Sequence, residues 1–92
     1  MVNMNGLGKL SRLKEEFLDM KKYIQIAEKY LVTNSSNLTR GICFTIRYND
    51  LLNSDNPEQF IKEEINSICY DFSAVRDYTD EYGTRYLLFY NN

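Results

Sequence analysis

Leu10, Leu13, Phe17, Met20, Ile24, Ala27 and Leu31 recur at alternating intervals of three and four residues. That spacing lays all seven on one stripe of a helix and predicts a helix from about Gly8 to Val32. Lys14, Glu15, Lys21, Lys22, Glu28 and Lys29 fall off the stripe, on the side expected to face water. Leu18, Tyr23, Ile26 and Tyr30 flank it. The polar cluster Thr33-Asn34-Ser35-Ser36-Asn37 ends the pattern. The period then changes to two. Ile42, Phe44, Ile46 and Tyr48 alternate with Cys43, Thr45 and Arg47, which predicts a strand between Gly41 and Asn49. Leu51 and Leu52 sit in a short connection with room for one helical turn.

A second helix is signalled by its start. Asn56 suits the N-cap, Pro57 the first helical position, and Glu58 the positive end of the helix dipole. Gln59, three residues after the cap, is placed to reach back to the cap's amide. Phe60, Ile61, Ile65, Ile68, Cys69 and Phe72 form the apolar face, with the helix ending near Tyr70. A hairpin follows: a strand over 73–79, a turn at Asp80-Glu81-Tyr82-Gly83, and a strand over 84–90. The order α-β-α-β-β predicts an α+β fold, with two helices packed on one face of a three-stranded sheet that ends in a C-terminal β-hairpin. Residues 1–92 are expected to form a single domain, with 1–8 a flexible lead-in. Were strands one and two parallel neighbours, the second helix would be a right-handed crossover.

Composition then removes whole classes of chemistry. The 92-residue chain has no His, so Ser-His-Asp and Cys-His machinery cannot be assembled within it. Its two cysteines, Cys43 and Cys69, are too few thiols for a structural zinc site. They are expected as reduced, buried small hydrophobes. No calcium-loop, dinucleotide or phosphate-loop motif is present. No signal-peptide pattern or membrane-length apolar run is seen, which points to a cytoplasmic protein without cofactor, metal or catalytic site. At this length one core is all the chain can bury, which also disfavours a large enclosed substrate pocket.

Charge is polarised along the chain. Residues 1–47 carry a net +4 and residues 48–92 a net −6. Five of the eight tyrosines, Tyr70, Tyr78, Tyr82, Tyr86 and Tyr90, fall in the C-terminal third of the chain. Tyr is favoured at interfaces because it buries a large ring and keeps a polar tip. The expected partner-binding set is Glu63, Glu64, Asp71, Asp77, Tyr78, Asp80, Glu81, Tyr82 and Tyr86. Its acids would engage Lys and Arg of a larger basic protein, one whose cations normally hold nucleic acid, and Tyr78, Tyr82 and Tyr86 would anchor the contact. Direct nucleic-acid binding is disfavoured. Lys9, Arg12, Lys14, Lys21, Lys22 and Lys29 are interleaved with Glu15, Glu16, Asp19 and Glu28.

In overall character the chain is small, acidic, His-free and rich in Tyr and Asn. In this it resembles the accessory proteins of phages and mobile elements, such as anti-CRISPR and other anti-defence inhibitors, or bacterial immunity proteins. The likeness is one of composition and assigns no residue. It implies a non-enzymatic inhibitor of a larger protein. The alternative is a homodimerising adaptor, with Leu13, Phe17, Met20, Ile24, Ala27 and Leu31 as the dimer seam.

Overall fold

The computed structural model describes residues 19–92. The helical start expected near Gly8, the lead-in 1–8, and Leu13 and Phe17 of the stripe lie outside the described residues. Helix α1, residues 19–28 as described, is followed by β1 (Cys43–Arg47), a short α2 (Tyr48–Leu52), α3 (Pro57–Asn66), β2 (Ala74–Thr79) and β3 (Arg85–Tyr90). The sheet is antiparallel throughout, in the order β1-β3-β2. The fold is therefore α+β in the expected order, with the helices packed on one face and the hairpin at the C-terminal end. β1 and β2 run in the same direction but are not neighbours, because the C-terminal strand lies between them. Among the described residues, α3 is therefore not a crossover between neighbouring parallel strands.

The core forms where α1, α2 and α3 meet one side of this sheet. Met20, Tyr23 and Ala27 from α1, Leu51 from α2 and Ile61 from α3 pack with Ile46, Leu87 and Phe89 of the sheet and Phe72 of the linker. Phe44, Phe72 and Phe89 form a ring cluster with centroids 6.0–6.5 Å apart. The centre of the α1 stripe is rotated from the sequence expectation. Tyr23 is buried and tilts against Tyr48 at 5.7 Å, while Ile24 is only half-buried; the helix ends at Glu28 rather than near Val32, so Leu31, also half-buried, lies beyond it. An aromatic pair removes more apolar area from water than an isoleucine placed there would.

Tyr48 continues the alternation of β1 in the sequence, yet it opens α2, so the strand stops at Arg47. Arg47 closes this corner through Nε to Asp50 Oδ2 at 3.1 Å. In α3 the cap is as expected: the Asn56 side chain accepts from the Gln59 amide at 3.2 Å. Gln59 does not return the bond. Its amide donates to Glu63 Oε1 at 3.0 Å, and the Asn56 N–H goes to Ser54 Oγ. Asn56→Ala is expected to cost about 0.5–2 kcal/mol, read as a lower midpoint in urea with unchanged slope.

Both cysteines are exposed free thiols, which corrects the expectation of burial. Cys43 falls on the side of β1 away from the helices. Cys69 was expected on the apolar face of α3, but that helix ends at Asn66 and the residue sits in the turn beyond. At the far end of the sheet Asn91 ties three segments together. Its Nδ2 donates to the carbonyls of Thr39 and Asp71, and its Oδ1 accepts from the Ser73 amide.

Candidate interaction surface

Period two divides each strand between two environments. Phe44 and Ile46, Val75, Leu87 and Phe89 point toward the helices. The opposite face carries Tyr86, Leu88 and Tyr90 on the central strand, Cys43, Thr45 and Arg47 on β1, and Ala74, Arg76 and Tyr78 on β2. None of these packs into the core cluster. The β1 and β2 members are exposed except Ala74, which is half-buried like the three on the central strand.

This outer face is aromatic and contains no carboxylate. Tyr78 and Tyr86 are direct cross-strand partners with rings 6.1 Å apart. The Arg76 guanidinium lies 5.4 Å over the Tyr90 ring. Arg47, opposite Tyr86 on the other side, pairs with Asp50. Aromatic rings held in cross-strand contact are already ordered before any partner arrives. That reduces the rotamer entropy lost on binding.

The hairpin turn supports one end of this face. The Asp80 carboxylate accepts from the amides of Tyr82 and Thr84, both at 2.9 Å, and from the Tyr86 hydroxyl at 3.0 Å. Gly83 adopts φ +84°, the left-handed conformation that a bulged hairpin turn demands of glycine. Partial burial pushes the Asp80 carboxyl up. Its hydrogen bonds from Thr84, Tyr86, Tyr82 and Gly83 outweigh that, and its pKa lies below the usual carboxylate value. The Tyr86 phenol is pushed above its usual value, first by the bond to Asp80, then by burial and the Asp80 charge.

Asp80 is depressed, so its stabilisation is present above the unfolded carboxylate pKa near ~3.9 and lost as pH falls through the folded value. Tyr86 is raised, so its share is present below an unfolded pKa near ~10 and lost as pH rises through the folded value. Tyr86→Phe is expected to move the Asp80 carboxyl back toward its ordinary pKa. Following the Asp80 carboxyl carbon by NMR between pH 2 and 6 checks this.

The sequence-predicted set does not form one acidic patch. Tyr78 and Tyr86 lie together on the outer face, and Tyr82 and Glu81 are exposed at the turn tip beside them, with Tyr82 at 86% exposure. Asp80 belongs to the same end but is committed to the turn. Asp77, next to Tyr78 in sequence, is on the helix side of β2 and pairs with Arg85 at 3.2 Å. Asp71 lies at the opposite end of β2, about 20 Å of strand away, and accepts from the Ser35 hydroxyl. Glu63 and Glu64 are on α3, one exposed and one half-buried.

Met20 and Ala27 of the proposed seam are 1% and 0% exposed within the chain's own core, so neither has surface left for a second copy. The expected partner-binding set omits Arg76, Leu88, Tyr90 and Thr45, although the alternation along β3 already places Tyr86, Leu88 and Tyr90 on one face in the sequence.

Among the described residues no three or more Cys, Asp or Glu side chains come together in a way that could hold a metal ion. No helix of the described residues is long and apolar enough to cross a membrane. Comparison with protein-family models, with curated proteins and with solved structures gives no match.

Proposed function

We propose that this chain is a non-enzymatic, cytoplasmic protein-binding module that inhibits a larger basic protein. The observation that carries the reading is the open outer face of the sheet, where Tyr78, Tyr86, Tyr90 and Leu88 adjoin the exposed Tyr82 at the turn tip. Tyr and Arg are the residue types that dominate binding hot spots, and this face is built from them. Three strands by five residues give a planar footprint of roughly 240 Å², against about 800 Å² per partner in a standard interface. The tip and the flanks of the sheet must therefore join the contact. Glu81 at the tip acts at the rim, and the net −6 of residues 48–92, dispersed over α3 and both ends of β2, adds a general field; such charge governs encounter more than residence.

Among the described residues, the titratable groups with displaced pKa values owe their shifts to contacts of the fold itself. Tyr23 is raised by burial and by Asp19, and Asp80 and Tyr86 are a turn-closing pair. The test is binding kinetics of the captured partner at 50 mM and 1 M salt. Association is expected to slow at high salt while dissociation changes little. Equal association rates at both salts would remove the basic partner from the reading.

A further inference from the structure

We infer that β1 is the seam of a symmetric dimer, in which β1 of two copies pair antiparallel about Thr45 and join two three-stranded sheets into one of six. This inference stands apart from the partner reading above.

The two edges of the sheet differ. Among the described residues no strand or bridge flanks the outer side of β1, so one row of its backbone donors and acceptors is unpaired. On the other edge, the segment entering β2 already carries a parallel bridge, Leu38 to Asp71. β2 also holds Arg76 and Asp77 at its centre. Self-pairing centred on either would set Arg opposite Arg or Asp opposite Asp, which opposes association. β1 has no such block. With Thr45 on the two-fold axis, Thr45 faces Thr45, Phe44 faces Ile46 and Cys43 faces Arg47 of the second copy. No like charges meet, and all five residues pair.

The parity of this register is also right. Residues directly opposite share a face, so the outer faces of both copies lie on the same side and the helix-covered faces on the other. Phe44, half-buried at the edge of the core, stands opposite the second copy's Ile46 on the helix side; Ile46 is already buried in its own chain, so the pairing there is through the backbone and Phe44 alone has side-chain surface to add. Arg47 is drawn toward Asp50 of its own chain and leaves the Cys43 position free of repulsion. A homodimer is the occupant these features fit, since complementarity is to the strand's own sequence.

Direct cross-strand partners have Cα atoms about 4.5–5.5 Å apart, within the range a disulfide spans. The experiment places Thr45→Cys in a Cys43→Ser, Cys69→Ser background, with Arg76→Cys on the β2 edge as the comparison. On mild oxidation T45C is expected to form a covalent dimer at least tenfold faster than R76C, and the wild-type chain is expected to sediment as a dimer at 100 µM. Thr45→Lys, which sets two cations opposite each other, is expected to sediment as a folded monomer with an unchanged far-UV spectrum. A wild-type monomer at 100 µM overturns the inference, as does T45C crosslinking no faster than R76C. In the first case the free edge would be left for an extended segment of another protein.

Discussion

Phe89→Ala is expected to lower stability by about 3–5 kcal/mol, the range for removing a fully buried phenyl ring. Phe89 is 1% exposed on the central strand and touches both Phe44 and Phe72. Its loss opens a cavity at the one place where the sheet, the linker before β2 and the edge of β1 meet. A domain of this length has only about 5–14 kcal/mol of total stability. The substitution therefore removes a large share of it and should lower the melting temperature by roughly 15–30 °C. Leu88→Ala, one residue earlier but on the outer face, should shift it far less. Thermal unfolding of the two variants side by side checks the assignment of faces. Equal losses would contradict it.

The second large effect concerns binding. Tyr78→Ala and Tyr86→Ala are each expected to weaken partner affinity by about 30- to 1000-fold, corresponding to hot-spot losses of about 2–4 kcal/mol. Tyr86 is the more exposed to a confounding effect, since its hydroxyl also bonds to Asp80. Tyr78 has no such bond to the turn, so its loss reports on the contact more directly. Tyr86→Phe separates the two roles, keeping the ring and losing the hydroxyl. Glu63→Lys with Glu64→Lys on α3 should change affinity by less than about threefold beyond the general electrostatic effect, because rim charges act mainly on the association rate. Isothermal titration with the purified partner measures all of these.

Much of this molecule was legible in its sequence because many of its determinants are local. The Asn56-Pro57 start of α3, the alternation of β1 and β3, and the Gly83 turn each depend on a few adjacent residues. What was not legible depends on contacts distant in sequence. Strand order requires knowing that the last strand inserts between the first two, which no local period records. The spacing of Tyr48 continues the strand period, so the sequence pattern alone extends β1 through it. Tyr23 and Tyr48 meet only once α1 has crossed the sheet, and that pairing accompanies the turn into α2.

The acidic set failed for a different reason. Asp71, Asp77 and Asp80 are close in sequence, but one strand's length separates the first from the last, and one residue's pleat puts Asp77 opposite Tyr78. Strict use of the period-two rule within the hairpin would have separated those two. The commitment of Asp80 to Tyr82, Thr84 and Tyr86 follows from turn geometry, and an Asp opening a turn with Gly three residues on is a readable sign of it.

Leu87 and Leu88 offer the most direct test of the central claim, that the outer face of the sheet is the binding surface. They are consecutive on β3, one buried against the helices and one on the open face. In methyl-labelled protein titrated with its captured partner, the Leu88 methyl signals should shift or broaden while those of Leu87 hold. Unchanged Leu88 signals, with the shifts gathered instead on α3 at Ile65 and Ile68, would contradict the account.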